Sequence, residues 1–414
     1  MKEKDRYVIT GRGAITTLGN ANKTLEQIWK GELGLKNVRF HRFPDSPIQV
    51  AGMILGYDDK TSRKTEFLEN QKIAIQIPRT GFLAAISARE ALIDAGINPI
   101  KLSEGEREKI GVFMGTCTAG QESLAREIYD RTVSGKPLLP SSLLSSLNSG
   151  AAMGPSVLLN LQGPVRTIAA ECASSGLAIE DGINMLKATQ DDDRVLQLVV
   201  GGSEDLSDGH LISFFDAVRA ISHQSDSRLA SRPCHPNRDG FVPAEASISF
   251  VLERLGDASK RKAKIYAEIL GIYSNSDGYN KSLTMGTYDG LRNAIQGAIE
   301  NARLSPDQID SYWGHFTSTP QGDERELSIV RSIWEDWESD LNIVGIKRQM
   351  GHQLGASTAM SVLGITEEFI RREPPKKSLI PEGGHINKLN SRIAMAVGSG
   401  FGGQNIALVL GKVL

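Results

Sequence analysis

Residues 163–188 read GPVRTIAAECASSGLAIEDGINMLKA, and the fold class follows from this stretch. A strand-like run ends at Glu171 and Cys172, and a helix with apolar periodicity begins at once. Cys172 is therefore predicted at a helix N-terminus, where free N–H groups and the helix dipole favour a thiolate. Small residues follow, so a substrate can approach the backbone, and the N–H of Cys172 can hold an oxyanion. The alternative is a structural cysteine, because free cysteine packs as a small hydrophobe.

Strands and helices alternate along the rest of the chain, which predicts an α/β fold. Short β-branched runs predict strands at residues 7–10, 110–114, 195–200, 247–252, 265–270, 393–397 and 406–410. Segments rich in Ala, Leu and Glu predict helices at residues 80–95, 176–188, 287–302 and 356–371. The order of elements in residues 85–114 is echoed in residues 294–317, which is consistent with two similar halves joined near residues 256–264. Any α/β protein can show such echoes, so duplication and coincidence both stay open here.

Composition excludes several classes of protein. The chain has 414 residues, is 40% hydrophobic and carries a net charge of −2, so nucleic-acid or membrane-surface binding is not expected. Its three cysteines, Cys117, Cys172 and Cys234, form no disulfide framework and fit a reducing compartment. The N-terminus lacks the apolar region of a signal peptide, and no apolar run is long enough for a membrane helix. We expect a cytoplasmic protein.

Two histidines lie in segments that suggest chemistry. His315 lies in YWGHFTSTPQGDERE, residues 312–326, and His352 lies in GIKRQMGHQLGAS, residues 345–357, five residues after Lys347. Two neutral imidazoles can donate to a developing oxyanion and activate a thiol near pH 7. The alternative, a hydrogen-bonded structural or surface histidine, is kept for His41, His210, His223 and His385. No HExxH or CxxC spacing is present, so no metal site is predicted.

The segment GSGFGGQN, residues 398–405, lies between two strand-like runs near the C-terminus. A phosphate-binding loop should be followed by a helix, whereas a strand is predicted here. A glycine loop that carries one large aromatic side chain, Phe401, is better interpreted as a movable gate. A simple hairpin turn is the alternative.

Taken together, the motifs resemble those of the β-ketoacyl-acyl-carrier-protein synthases, in the elongating (KAS I/II-like) branch of the thiolase superfamily. The resemblance covers essentially the whole chain. Its motifs, in order, are TGRGAITTLGN, IGVFMGT, GPVRTIAAECASS, VVGGSED, RDGFV, HFTSTPQGD, KRQMGHQLGA and GFGGQN. Each motif is moderately specific, and their joint presence in this order is very specific.

The resemblance implies a thiolase-like fold in which two duplicated halves form a five-layered αβαβα core. Residues 1–257 would form the half with the nucleophilic cysteine, and residues 258–414 the half with both histidines. It also implies a dimer across a strand near the nucleophile. The partner chain would be a second copy or a chain-length-factor-like subunit.

The resemblance further implies a role for each site residue. Cys172 would take an acyl chain from the 4′-phosphopantetheine of an acyl carrier protein, and no cofactor would be bound by the enzyme itself. His315 and His352 would assist decarboxylation of a malonyl unit and stabilise the enolate. Lys347 would order the site together with Glu326, and the N–H groups of Cys172 and Phe401 would form an oxyanion hole. Phe401 and Gly402 would form a gate to the site. Thr317 and Thr319 would line the pantetheine tunnel, and Thr118 would limit the depth of the acyl pocket.

Carrier proteins are acidic, so a locally basic docking face is expected. Arg63, Lys64 and Arg79 are its candidates, and a solvated helix face is the alternative. No nucleic-acid or membrane partner is expected.

Several positions depart from the family pattern, namely Glu171, His235, Ala244, Ala246, Phe316 and residues 312–314. They favour a specialised type II polyketide or polyene ketosynthase over a housekeeping fatty-acid synthase. A non-enzymatic chain-length-factor subunit would lack the nucleophile, and a thiolase would have a cysteine after Cys234. A non-condensing acyltransferase or hydrolase that uses Cys172 is a further alternative.

Overall fold

A computed structural model describes residues 6–40, 46–57, 60–118, 120–135, 137–138, 142–143, 147–191, 194–207, 209–279, 288–381 and 384–413. The strands are β1 (Tyr7–Thr16), β2 (Gly19–Asn20), β3 (Lys36–Asn37), β4 (Val50–Ala51), β5 (Ile110–Gly115), β6 (Val165–Ile168), β7 (Gln197–Glu204), β8 (Ala246–Arg254), β9 (Ala267–Ser276), β10 (Ser311–Trp313), β11 (Asn342–Val344), β12 (Ile393–Ser399) and β13 (Gln404–Gly411).

The helices are α1 (Ala21–Lys30), α2 (Lys60–Glu66), α3 (Gln71–Ala74), α4 (Arg79–Asp94), α5 (Glu104–Arg107), α6 (Gln121–Ser134), α7 (Gly150–Leu159), α8 (Ser174–Ala188), α9 (His210–Ala217), α10 (Ser227–Ala230), α11 (Leu255–Lys260), α12 (Tyr288–Ala302), α13 (Pro320–Ile333), α14 (Trp337–Asp340), α15 (Lys347–Met350) and α16 (Ser357–Arg371). Each strand and helix predicted from the sequence is present. Thr287, the first residue of one predicted helix, lies outside the described residues.

The main sheet has the strand order β11-β10-β12-β13-β9-β1-β8-β7-β5-β6, with β2 paired to β1. The order is the same in both halves. From the centre outward, the first half has the order β1, β8, β7, β5, β6, and the second half has the order β9, β13, β12, β10, β11. When the five strands of each half are numbered along the chain, both orders are first, fifth, fourth, second and third. The fourth, second and third strands are parallel to one another, and the other pairings are antiparallel. The architecture is therefore duplicated, and the two copies meet where β1 pairs with β9. The predicted division between residues 257 and 258 lies in the connection between β8 and β9 and remains a prediction.

Three helical layers enclose the two halves of the sheet. Helices α4 and α7 pack on the outer face of the first half, and α12 and α13 pack on the outer face of the second. Helices α8 and α16 lie between the two halves and share one apolar core with strands from both. The result is the predicted five-layered αβαβα arrangement. Because both faces of the sheet are covered, β1 is buried along its whole length.

The segment before Cys172 differs from its prediction. Strand β6 ends at Ile168, and a single 3₁₀ turn, Glu171–Ala173, separates it from α8. Glu171, the first residue of this turn, takes a left-handed backbone conformation, with φ of 50°. Apolar periodicity cannot locate such a reversal.

In the described part of the chain, we find no helix with the length and apolar character required to span the bilayer.

Candidate active site

The turn that carries Cys172 is held against the end of β5. Gly115 closes that strand, and a Cβ there would lie 2.4 Å from the carbonyl carbon of Ser174, so only glycine lets α8 begin here. The Ser174 hydroxyl donates to the backbone carbonyls of Thr116 and Glu171. The thiol of Cys172 is consequently fixed and buried, with 7% of the residue exposed.

The second half of the chain contributes the facing wall. His352 precedes a 3₁₀ turn, Leu354–Ala356, that leads into α16 as the turn at Cys172 leads into α8. The two helices are joined by a hydrogen bond from the Ala359 N–H to the Ser175 hydroxyl, 3.0 Å long. This pairing of equivalent helices brings together side chains that lie 180 residues apart in the sequence.

Cys172, His315 and His352 converge, as predicted. The Sγ atom of Cys172 lies 3.1 Å from Nε2 of His352. The rings of His315 and His352 are 5.2 Å apart between centroids and nearly perpendicular. The sulfur and one ring nitrogen of each histidine all lie within 4.8 Å of one another. One small group, such as a thioester carbonyl, can therefore contact all three side chains.

Glu326 fixes the loop that carries His315. Its carboxylate accepts hydrogen bonds from the N–H groups of His315 and Phe316, at 2.6 and 2.7 Å, and from the Tyr312 hydroxyl at 2.8 Å. Lys347 begins α15 and is buried nearby. Burial lowers the pKa of Lys347, and the negative charge of Glu326 opposes that shift. Burial raises the pKa of Glu326, against the hydrogen bonds it accepts and the charge of Lys347.

Both imidazoles are neutral at physiological pH. Burial, reinforced by the positive charge of Lys347, holds the pKa of His352 well below its usual range. The pKa of His315 is also far below its usual range, because of burial, Lys347 and His352. Each ring therefore offers one N–H donor and one lone pair, which is what proton transfer and oxyanion stabilisation require.

The pKa of Cys172 is shifted in the direction opposite to the one that its position at a helix N-terminus favours. Burial, and after it the charge of Glu171, raises the pKa of Cys172 to about 12, although Lys347 opposes the shift. The loss of hydration outweighs the benefit of the helix terminus. The thiol is protonated and needs a base, and Nε2 of His352 lies within reach.

The glycine loop forms the wall beside the Cys172 backbone. Phe401–Gly403 is a 3₁₀ turn between β12 and β13, and Gly402 has φ of 77°. A Cβ on Gly400 would lie 2.7 Å from Cβ of Glu171 and 3.2 Å from the nitrogen of Cys172. The ring of Phe401 packs against Phe215 at 6.2 Å. The loop thus lies directly against the Cys172 backbone.

A cavity of about 490 Å³ gathers most of the predicted site residues. Its lining includes Cys172, His315, Thr317, Thr319, Glu326, His352 and Phe401. The hydroxyls of Thr317 and Thr319 lie 3.0 Å apart. Lys347, Gly402 and Thr118 are not part of the lining. The Thr118 hydroxyl donates instead to the buried carboxylate of Glu204, at 2.5 Å.

Two of the three residues predicted for docking are unsuited to it. The side chain of Arg79 is completely buried and pairs with Glu245 at 3.1 Å. Arg63 is also buried and donates to the carbonyls of Tyr57 and Ile77. Only Lys64 is exposed. The positions of basic residues in the sequence do not show whether their side chains are solvated or buried in ion pairs.

Sequence reasoning missed three features of the site. The thiol of Cys117 donates to the Glu171 carboxylate at 2.7 Å. The hydroxyl of Ser357 contacts the second nitrogen of His352. Arg219 lies at the cavity with its side chain exposed. Ser357 lies within the GHQLGAS segment, so its nearness to His352 was the one available signal.

A buried thiol beside two neutral imidazoles, at the junction of two duplicated α/β halves, defines a condensing enzyme of the thiolase superfamily. The family model described as "Beta-ketoacyl synthase, N-terminal domain" matches residues 4–258, and the corresponding C-terminal model matches residues 266–369. The chain belongs to the β-ketoacyl synthase family, and it is a ketosynthase of the acyltransferase class.

Similar proteins span the whole chain. The 3-oxoacyl-[acyl-carrier-protein] synthase 2 of Coxiella burnetii is 29% identical over 427 residues and covers 99% of each chain. A β-ketoacyl synthase structure from Burkholderia phymatum has a TM-score of 0.84 at 25% identity, covering 99% of this chain and 100% of that one. The ishigamide ketosynthase/chain length factor shares the fold, with a TM-score of 0.85 at 20% identity and 99% of both chains covered.

Replacing Glu171 by Gln should make Cys172 more reactive. Removal of the neighbouring negative charge lowers the pKa of Cys172, so the thiolate fraction at any pH below that pKa rises. We expect alkylation of Cys172 by iodoacetamide to become roughly two- to tenfold faster, because one pKa unit changes the thiolate fraction about tenfold. The rate is measured at about pH 8 by peptide mass mapping.

Glu180→Gln is the matched control, since Glu180 is a carboxylate on α8 bound to Ser274. Its alkylation rate at Cys172 should equal that of the unmodified protein. An unchanged or slower rate in Glu171→Gln would show that the Glu171 charge does not set the reactivity.

Proposed function

We propose that the enzyme extends an acyl chain held on Cys172 by decarboxylative condensation with malonyl acyl carrier protein. The observation that carries this proposal is the convergence of one protonated thiol and two neutral imidazoles in a single cavity. A hydrolase or simple acyltransferase needs one base for its thiol. The second imidazole is explained by a reaction in which an enolate must be stabilised.

In the acyl-transfer half-reaction, Nε2 of His352 takes the proton of the Cys172 thiol. The sulfur then attacks the thioester carbonyl of the acyl carrier protein. A new carbon–sulfur bond forms, the bond to the pantetheine sulfur breaks, and the proton passes to that leaving sulfur. The N–H groups of Cys172 and Phe401 hold the oxyanion of the tetrahedral intermediate.

In the condensation half-reaction, the malonyl carboxylate leaves as carbon dioxide and the thioester becomes an enolate. N–H groups of His315 and His352 donate to the enolate oxygen. The enolate carbon then attacks the Cys172 thioester, a carbon–carbon bond forms, and the bond to the Cys172 sulfur breaks. The sulfur leaves as a thiolate and takes up one proton from solvent, which regenerates the thiol. Neutral imidazoles suit this step because they stabilise the oxygen without protonating the carbon nucleophile.

Supporting residues keep this machinery in place. Glu326 fixes the backbone of His315, and burial, reinforced by the charge of Lys347, keeps both imidazoles neutral. The ring of Phe401 would act as a gate for the malonyl unit, with Gly402 supplying the left-handed backbone that the loop requires. Thr317 and Thr319 would contact the pantetheine arm where they line the cavity.

The substrates would arrive on the 4′-phosphopantetheine of an acyl carrier protein, and no resident cofactor takes part in the proposed reaction. The names of the curated relatives, which are acyl-carrier-protein synthases, support this partner. Arg219 and Arg325 line the cavity, and Arg219 is exposed. A guanidinium at that position can attract an acidic carrier and its phosphate. We therefore place docking at Arg219 instead of Arg63 and Arg79.

A dimer would form along β6. This strand ends the sheet, and Val165 within it is 43% exposed, whereas β11 at the opposite edge is buried. An exposed edge strand is suited to pairing with another chain. The partner would be a second copy or a chain-length-factor-like subunit, and the similar structure of the ishigamide ketosynthase/chain length factor supports the second of these. The complete set of Cys172, His315 and His352 would make this chain the catalytic member of such a pair.

We assign the enzyme to a specialised polyketide or polyene pathway, with housekeeping fatty-acid elongation in the cytoplasm as the second candidate. The assignment rests on Glu171, a carboxylate beside the nucleophile. Phe316, the other departure next to a catalytic group, does not support it. Its ring is completely buried and packs on Tyr312 at 6.1 Å.

Replacing Cys172 by Ala should separate the two half-reactions. The variant should form no acyl adduct and no elongated product, yet it should still convert malonyl carrier to acetyl carrier, because both imidazoles remain. His315→Ala and His352→Ala should each lower that decarboxylation by roughly 100-fold or more. Intact mass spectrometry of the carrier measures both reactions.

Cys234→Ala is the control, because Cys234 does not line the cavity. Chain extension by Cys172→Ala would contradict the proposal. Acyl transfer by the unmodified enzyme with no use of malonyl carrier would identify a non-condensing acyltransferase instead.

Replacing Arg219 by Glu should raise the KM for malonyl carrier protein by roughly tenfold, through the loss of attraction to an acidic partner. The rate with malonyl on a short free thiol should not change, since that substrate has no carrier surface. Lys64→Glu tests the sequence-based candidate by the same measurement. A larger KM increase in Lys64→Glu than in Arg219→Glu would overturn docking at Arg219.

A further inference from the structure

The ring of His352 is held at both nitrogens. Nε2 lies 3.1 Å from the Cys172 sulfur, and Nδ1 lies 2.8 Å from the hydroxyl of Ser357. Ser357 is the first residue of α16 and is 2% exposed, so this contact is part of the protein interior. His315 differs, because its Nδ1 atom is buried and has no hydrogen-bond partner among the described residues.

The two proposed half-reactions require opposite hydrogen-bonding states of Nε2 of His352. During acyl transfer it must present a lone pair to the thiol, so the single ring proton of the neutral imidazole must be on Nδ1. During condensation it must present an N–H to the enolate oxygen, so the ring proton must be on Nε2 and Nδ1 must be an acceptor.

A hydroxyl serves both states. The Ser357 oxygen accepts from Nδ1–H during acyl transfer, and the Ser357 O–H donates to Nδ1 during condensation. A carboxylate could only accept, a backbone N–H could only donate, and an alanine methyl could do neither. The hydroxyl needs only to rotate about its C–O bond, without moving the ring.

We propose that Ser357 is a positioning residue that supports both tautomers of His352 and thereby lets one imidazole act in both half-reactions. The inference rests on the proposed function. Between the half-reactions one proton leaves Nδ1 and one is gained at Nε2, both exchanged with solvent while the carrier is absent. No oxidant, reductant or further reactant is needed.

Replacing Ser357 by Ala tests the proposal on each half-reaction separately. Loss of the hydrogen-bond partner that orients a metal-bound imidazole costs roughly 10- to 100-fold in activity, and we expect an effect of the same scale on His352. We expect a decrease of that size in kcat for Cys172 acylation and for malonyl decarboxylation, with KM for the carrier unchanged. Ser357→Thr keeps the hydroxyl and should restore most of both rates.

The matched control is Ser361→Ala, one turn further along α16. Its hydroxyl is also buried and has no hydrogen-bond partner among the described residues. This variant should retain both rates within about twofold of the unmodified enzyme. Thermal unfolding of each variant identifies any loss that comes from unfolding alone.

Nitrogen-15 chemical shifts give a readout that a structural role would not move. The chain has seven histidines, and the His352 signals are assigned by their loss in His352→Gln. In the free enzyme we expect the proton on Nδ1, and after Cys172 is acylated we expect it on Nε2. In Ser357→Ala the tautomer should not change on acylation.

The outcomes separate the two proposals. If Cys172 is acylated but never extended, the proposed function fails, while the tautomer measurement on the acylated protein still tests Ser357. If Ser357→Ala keeps both rates, or if its His352 tautomer changes as in the unmodified enzyme, the inference about Ser357 is overturned.

Discussion

The contact between the Cys172 sulfur and Nε2 of His352 is the interaction on which the site depends. It exists because two copies of one five-strand unit pack with their central helices, α8 and α16, against each other. Each helix follows a 3₁₀ turn: the turn before α8 contains Cys172, and the turn before α16 comes shortly after His352. The core that buries these helices therefore also sets the distance between the thiol and its base. Disturbance of the central layer should affect activity before it unfolds the sheet.

Burial determines the electrostatics of this site. It raises the pKa of the thiol and lowers the pKa of both imidazoles, so Cys172, His315 and His352 are all uncharged in the free enzyme. Lys347 adds to the effect on the histidines. Reactivity then comes from the short path between a proton donor and an acceptor, and not from a thiolate that is present in advance. An uncharged thiol is also protected from electrophiles until a substrate occupies the cavity.

Much of this could be predicted from the sequence. The alternation of strands and helices identified the α/β class, and the motifs around Cys172, His315 and His352 located residues that the fold brings together. The protonation state of Cys172 could not be predicted, because desolvation depends on neighbours from both halves. The burial of Arg79 could not be predicted either, since its partners Asp205 and Glu245 are distant in sequence. The contact of Ser357 with His352 depends on the turn at Leu354–Ala356, which redirects the chain between them.

The most direct test of the central claim asks whether the enzyme forms a new carbon–carbon bond. The purified enzyme is incubated with an acyl carrier protein and malonyl carrier protein, and intact mass spectrometry follows the enzyme and the carriers. The expected result is an acyl adduct on Cys172 that disappears as a β-ketoacyl carrier, two carbons longer than the starting chain, is formed. An adduct that persists in the presence of malonyl carrier, with no elongated product, would contradict condensation by this chain alone.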